Sequence, residues 1–121
     1  MKVTGIKGEF TKFIKKSMGS ESPRFSGWYC GITNNEERRK AQHNYTRGNI
    51  KYWKCVYAGT MKKANEVERY FSEKGTINLP SPNGARASSK WVYIFKLPAS
   101  KQMGLGGVLD SELLYNQIFG D

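Results

Sequence analysis

The sequence predicts an α+β domain in which helices flank a small three-stranded sheet. Two observations carry this. Three short runs, GWYCGIT, IKYWKCVYAG and WVYIFKLP, concentrate aromatic and β-branched residues, the side chains that suit a pleated, half-buried surface. Around them lie segments whose apolar residues recur with the helical period of about 3.6. At 121 residues the chain is long enough for one hydrophobic core and short for two, so residues 1–121 read as a single domain.

In GEFTKFIKKSM, Phe10, Phe13, Ile14 and Met18 are separated by lysines, which marks a short amphipathic helix with a cationic face over about residues 8–18. GSESPRFSG breaks it and GWYCGIT follows as the first strand. In TNNEERRKAQHN, Asn34 or Asn35 can cap a helix whose first turn carries Glu36 and Glu37, the charge that the helix N-terminus favours. TRGN reads as a turn and IKYWKCVYAG as the second strand. Thr60 then caps a helix over MKKANEVERYFSEKG, which stops at Gly75. TINLPSPNGARASSK, rich in Pro, Gly, Ser and Asn, reads as a loop, and WVYIFKLP as the last strand, closed by Pro98. GLGG lacks the Walker lysine pattern and a strand running directly into it, so it reads as a hinge before a terminal helix at about residues 110–119, capped by Asp110 or Ser111.

Twenty Lys and Arg against ten Asp and Glu give a net charge of +10 and a pI near 9.7. A surplus of that size favours polyanionic partners, with nucleic acid ahead of an anionic membrane. No apolar stretch approaches a membrane span, and MKVTGIKGEF lacks the apolar segment of a signal peptide, so the expected location is cytoplasmic. Cys30 and Cys55 lie inside strand-like runs with no partner at metal-ligand spacing, and both read as small buried hydrophobes.

Tyr29, Gly31, Arg39 and His43 are joined by a strand, a tight turn and a helix. Positions 39 and 43 are four apart and share one helical face. Arg39 offers a fork of donors suited to phosphate oxygens, while the His43 imidazole and the Tyr29 phenol can move a proton on water or a leaving oxygen. Gly31 would let a substrate or a neighbouring strand approach closely. Arg38 and Lys40 extend the cationic surface for a substrate. The competing reading is that Arg38, Arg39 and Lys40 form a solvated cationic face and that His43 is an ordinary surface residue. On the later helix, Met61, Ala64, Val67 and Phe71 share an apolar arc at about 100° per residue. Glu68 falls within that arc, while Glu66 and Glu73 point to the opposite side. A core-facing carboxylate is costly unless it is paired or bound to a cation.

WYCGITNNEERRKAQHN resembles the second half of the GIY-YIG nuclease motif, in which a Tyr-x-Gly strand leads through a turn to a helix bearing Arg and then His or Tyr. Arg39 lies eight residues and His43 twelve residues after Gly31, the spacings of that family. KKANEVERYFSEKG resembles the family's glutamate helix. The resemblance implies a sandwich-like fold with a small, mostly antiparallel three-stranded sheet, and a metal-dependent endonuclease that hydrolyses phosphodiester bonds in nucleic acid, with DNA ahead of RNA. It implies that Glu68 holds one Mg2+ or Mn2+, that Arg39 holds the scissile phosphate, and that Tyr29 or His43 helps deprotonate water. Asn78 or Asn83 would sit near the substrate. A small nuclease that breaks both strands often uses a second active site, hence a homodimer. The alternative is a catalytically weak or inactive module that binds nucleic acid or protein on the same scaffold.

Residues 1–27 contain nothing that reads as the family's first strand, GIY. Trp91-Val-Tyr-Ile-Phe95 has its composition and could pair beside GWYCGIT with Tyr93 facing the site. The competing reading makes Tyr93 a core or edge aromatic.

Overall fold

The computed structural model describes residues 2–47, 50–78 and 89–97. Helix α1 (Val3–Met18) begins five residues ahead of the expected Gly8, because Ile6 continues the apolar stripe one turn before Phe10 and is fully buried with Phe10 and Ile14. A 3-10 turn at Phe25–Gly27 leads into β1 (Trp28–Thr33), followed by α2 (Glu36–Arg47), β2 (Lys51–Tyr57), α3 (Met61–Lys74) and β3 (Trp91–Lys96).

Asn35 is the residue that caps α2, its Oδ1 accepting the Arg38 N–H at 3.0 Å. The helix runs through Thr46 and Arg47, the first half of the expected TRGN turn. Two contacts hold them there: Thr46 Oγ1 donates back to the Gln42 carbonyl at 3.2 Å, and Arg47 reaches His43. Thr60 caps α3 by accepting the Lys63 N–H at 3.1 Å, and the helix ends at Gly75, whose φ of +114° suits a residue without Cβ.

The sheet is antiparallel in the order β1-β3-β2, so the last strand in sequence occupies the centre. β3 lies beside β1, as the composition of Trp91–Phe95 suggested, with Tyr93 opposite Gly31 on one side and Cys55 on the other. The start of the expected loop also belongs to the sheet edge. Cys30 donates to the Ile77 carbonyl at 3.0 Å and Ile77 to the Trp28 carbonyl at 2.8 Å, a short parallel bridge that covers β1 and carries Asn78 to its flank.

Alternation along the strands separates two cores. On one face Trp28, Cys30, Val92 and Ile94 pack against Ile6, Phe10 and Ile14 of α1 and Ala64, Val67 and Phe71 of α3. On the other, Tyr29, Tyr93, Phe95 and Leu97 gather with Trp53, and His43 of α2 lies against them. Helices thus flank the sheet on both sides, the α+β class that the sequence predicts. The expected terminal helix, its GLGG hinge and Asn83 lie outside the described residues. Among the described residues, no helix is long and apolar enough to cross a membrane.

Candidate active site

Helix α2 meets the sheet with Arg39, Gln42, His43 and Arg47 where a core helix would carry aliphatic side chains, and all four are buried. Breaks of this kind in the polar and apolar pattern concentrate at functional sites. The spacing 39, 43, 47 stacks three basic side chains along one helical line.

His43 is the centre of the cluster. Its ring centroid lies 4.7 Å from that of Tyr29, 5.3 Å from Tyr93 and 4.6 Å from Phe95. Nε2 is 2.7 Å from Tyr93 Oη, and Nδ1 is 2.9 Å from Arg47 Nη1. The Arg47 guanidinium also sits 5.0 Å from the Tyr29 ring centre and donates to Thr46 Oγ1 at 2.8 Å. Tyr93 stacks on Trp53 at 4.8 Å, and Trp53 Nε1–H donates to Glu36 Oε2 at 2.9 Å, which ties β2 to the first turn of α2.

Gly31 makes this arrangement possible. A Cβ there would stand 2.6 Å from Tyr93 Cζ, inside any real carbon contact, so the bare backbone lets the Tyr93 phenol lie across β1 and reach His43. The space above Gly31 is filled by the side chain of the neighbouring strand.

Burial, then the charges of Arg47 and Arg39, hold the His43 imidazole well below its ordinary pKa, so it is neutral at neutral pH. Burial pushes Glu68 up to about 7, with the Arg39 guanidinium opposing the shift. Arg39 therefore acts electrostatically on both halves of the site, the imidazole and the carboxyl. Burial first, then Glu68, raises the Cys30 thiol well above its usual value. Burial first, then Glu36, raises Cys55 to about 12. Both thiols stay protonated, and neither is activated for nucleophilic attack.

Glu68 and Asn78 line a groove of about 670 Å³ along α3, together with Asn65, Arg69 and Ser72. Glu66 and Glu73, expected on the opposite side of the helix, line it too, because the groove wraps the outer flank of α3. Among the described residues no group of three or more His, Cys, Asp or Glu is assembled for a metal. A cation here would rest on the Glu68 carboxylate, with water and substrate oxygens as its other ligands. That donor set fits a hard divalent ion that keeps much of its hydration.

The fold brings Tyr29, Gly31, Arg39, His43 and Tyr93 together, with Glu68 and Asn78 on the α3 side. It leaves Arg38 and Lys40 on the exposed face of α2, where Arg38 donates to Asn34 Oδ1 at 2.9 Å and the Lys40 ammonium lies 5.8 Å from the Trp53 ring centre. Arg47 is the participant that sequence reasoning missed. Its signal was the third step of the 39, 43, 47 period, hidden because TRGN read as a turn. No family model matches the chain, and no curated protein or solved structure matches it significantly.

Proposed function

We propose that this chain is a metal-dependent endonuclease of the GIY-YIG kind that hydrolyses phosphodiester bonds in nucleic acid, with DNA as its substrate and the cytoplasm as its place of action. One observation carries the reading: two tyrosines from adjacent strands converge on a buried neutral histidine, while a neighbouring arginine acts on both that histidine and a carboxyl of raised pKa.

Arg39 would hold the scissile phosphate with its planar fork and offset its charge. The attacking water's oxygen bonds to phosphorus as the bond to the leaving sugar oxygen breaks. The water's proton passes to a tyrosine phenolate, Tyr29 or Tyr93, and the departing oxygen takes a proton from solvent. Asn78 would orient the substrate from the groove. A bound Mg2+ or Mn2+ at Glu68 would supply positive charge to the phosphate oxygens as negative charge develops there. A second copy of the chain would serve the other strand of a duplex.

A specific observation favours a second reading, a module that binds nucleic acid without cutting it. His43, Tyr93, Tyr29, Arg47 and Arg39 are only 0%, 1%, 2%, 4% and 5% exposed, so the cluster is enclosed by the fold. The deciding experiment is cleavage of plasmid and single-stranded DNA with Mg2+ or Mn2+. Loss of about 10²-fold or more in Glu68→Ala and in Arg39→Ala supports the nuclease. Salt-sensitive binding with no cleavage under either cation supports the second reading.

A further inference from the structure

The contacts of His43 define where its proton sits. A guanidinium has donors only, so the 2.9 Å approach of Arg47 Nη1 makes His43 Nδ1 the acceptor. The single proton of a neutral imidazole is then on Nε2 and is donated to Tyr93 Oη across 2.7 Å. Accepting such a bond favours the ionised phenol, against the burial of Tyr93, which favours the neutral one. The other tautomer would aim Nδ1–H at a guanidinium N–H and would have Nε2 accept the phenol's own proton, which favours the neutral phenol.

Arg47 is well placed to enforce this choice. It lies four residues after His43, so α2 itself sets their separation. Its Nη1 is also anchored on Thr46 Oγ1, and its guanidinium is packed at the Tyr29 ring.

Resting on the nuclease reading above, we propose that Arg47 is a positioning residue of this site: by occupying Nδ1 it holds His43 in the Nε2–H tautomer, which makes Tyr93, and not His43, the proton acceptor at the reacting centre. Among the described residues, the titratable and charged groups around this pair include Tyr29 from β1, Arg39 and Arg47 from α2, and Cys55 from β2 in register with Tyr93. Glu36 is held against the cluster by Trp53, and Glu68 acts from α3 beside Arg39. Burial first, and then Arg47 and Arg39, oppose an imidazolium, in keeping with a neutral ring.

His43 is the chain's one histidine, so nitrogen NMR of histidine-labelled protein reads its tautomer without ambiguity. The full chain is expected to show a pyrrole-like Nε2 and a pyridine-like Nδ1 between about pH 6 and 8. Arg47→Met should lose that state and shift toward the Nδ1–H form, with burial and Arg39 still keeping the ring neutral, and Arg47→Lys should retain it. In cleavage assays the rising limb of the kcat profile should move up by about one pH unit in Arg47→Met, with KM little changed and Arg47→Lys restoring the limb. The proposal is overturned if the unmodified chain shows Nδ1–H, if its histidine titrates as a free imidazole, or if Arg47→Met leaves the spectrum unchanged. If Arg47→Met does not fold, the unmodified chain and Arg47→Lys decide. The NMR readout does not depend on activity, so absence of cleavage with the tautomer lock intact overturns the nuclease reading alone.

Discussion

Tyr93 reaches His43 only because position 31 carries no side chain. Gly31→Ala would drive a methyl into the Tyr93 ring, and displacing that phenol is expected to cost about 1–3 kcal/mol, read as a lower urea midpoint. An unchanged midpoint would show that the ring can move aside freely. His43 has a signed dependence on pH. Its folded pKa lies well below the unfolded value of about 6.5, so the unfolded chain binds the extra proton in that window. Its contribution to stability is full above about pH 6.5 and is lost as pH falls towards the lower folded value. His43→Gln should lack that acid loss, which denaturation at about pH 7.5 and about pH 5 will check. Glu68 runs the other way: its folded pKa of about 7 exceeds the ordinary 4.5, so its contribution is full below 4.5 and is lost as pH rises through about 7. Glu68→Gln should therefore be more stable than the parent at about pH 8, by roughly 2–3 kcal/mol. Added Mn2+ should raise the Tm of the parent at that pH and leave the variant unmoved, and equal shifts in both would remove Glu68 as the metal ligand.

At the scale of elements, α1 is an integral part of the core and not an appendage. Its Ile6, Phe10 and Ile14 are fully buried, and Phe10 packs its ring 5.8 Å from that of Phe71 in α3. Phe10→Ala is expected to destabilise the fold by about 3–5 kcal/mol in chemical denaturation, whereas a loosely attached helix would give a loss near zero. α2 has the opposite character. Its inner face is polar, so rings and hydrogen bonds hold it, among them the Trp53 to Glu36 contact from β2. α1 was legible as a periodic stretch, α2 by its Asn cap and α3 by its Thr60 cap and Gly75 stop, but the start of α1 and the end of α2 were set by what they touch. Ile6 extends α1 backward into the core, and Arg47 extends α2 forward to its bond with His43.

For the whole molecule, the charge of +10 was visible in the sequence, and exposed cations are spread over three elements, with Lys12 and Lys16 on α1, Lys51 on β2 and Lys62 on α3. Binding to DNA should accordingly weaken steeply as salt is raised, measurable by fluorescence anisotropy, and Glu68→Ala should retain this dependence because it removes no cation. Salt-independent binding would point to a partner other than a polyanion.

Among the described residues, the sequence by itself determined the three strands, the presence of helices α1, α2 and α3 and the helical line that carries Arg39 and His43, because periodicity and capping are local properties of neighbouring residues. It also offered β3 as the partner of β1 through composition alone. Only the tertiary structure decided that β3 sits at the centre, that Gly31 yields its space to Tyr93, and that Arg47 joins His43 and Tyr29. Strand order and the crossing of side chains between strands depend on contacts between distant residues, and such contacts leave no period along the chain.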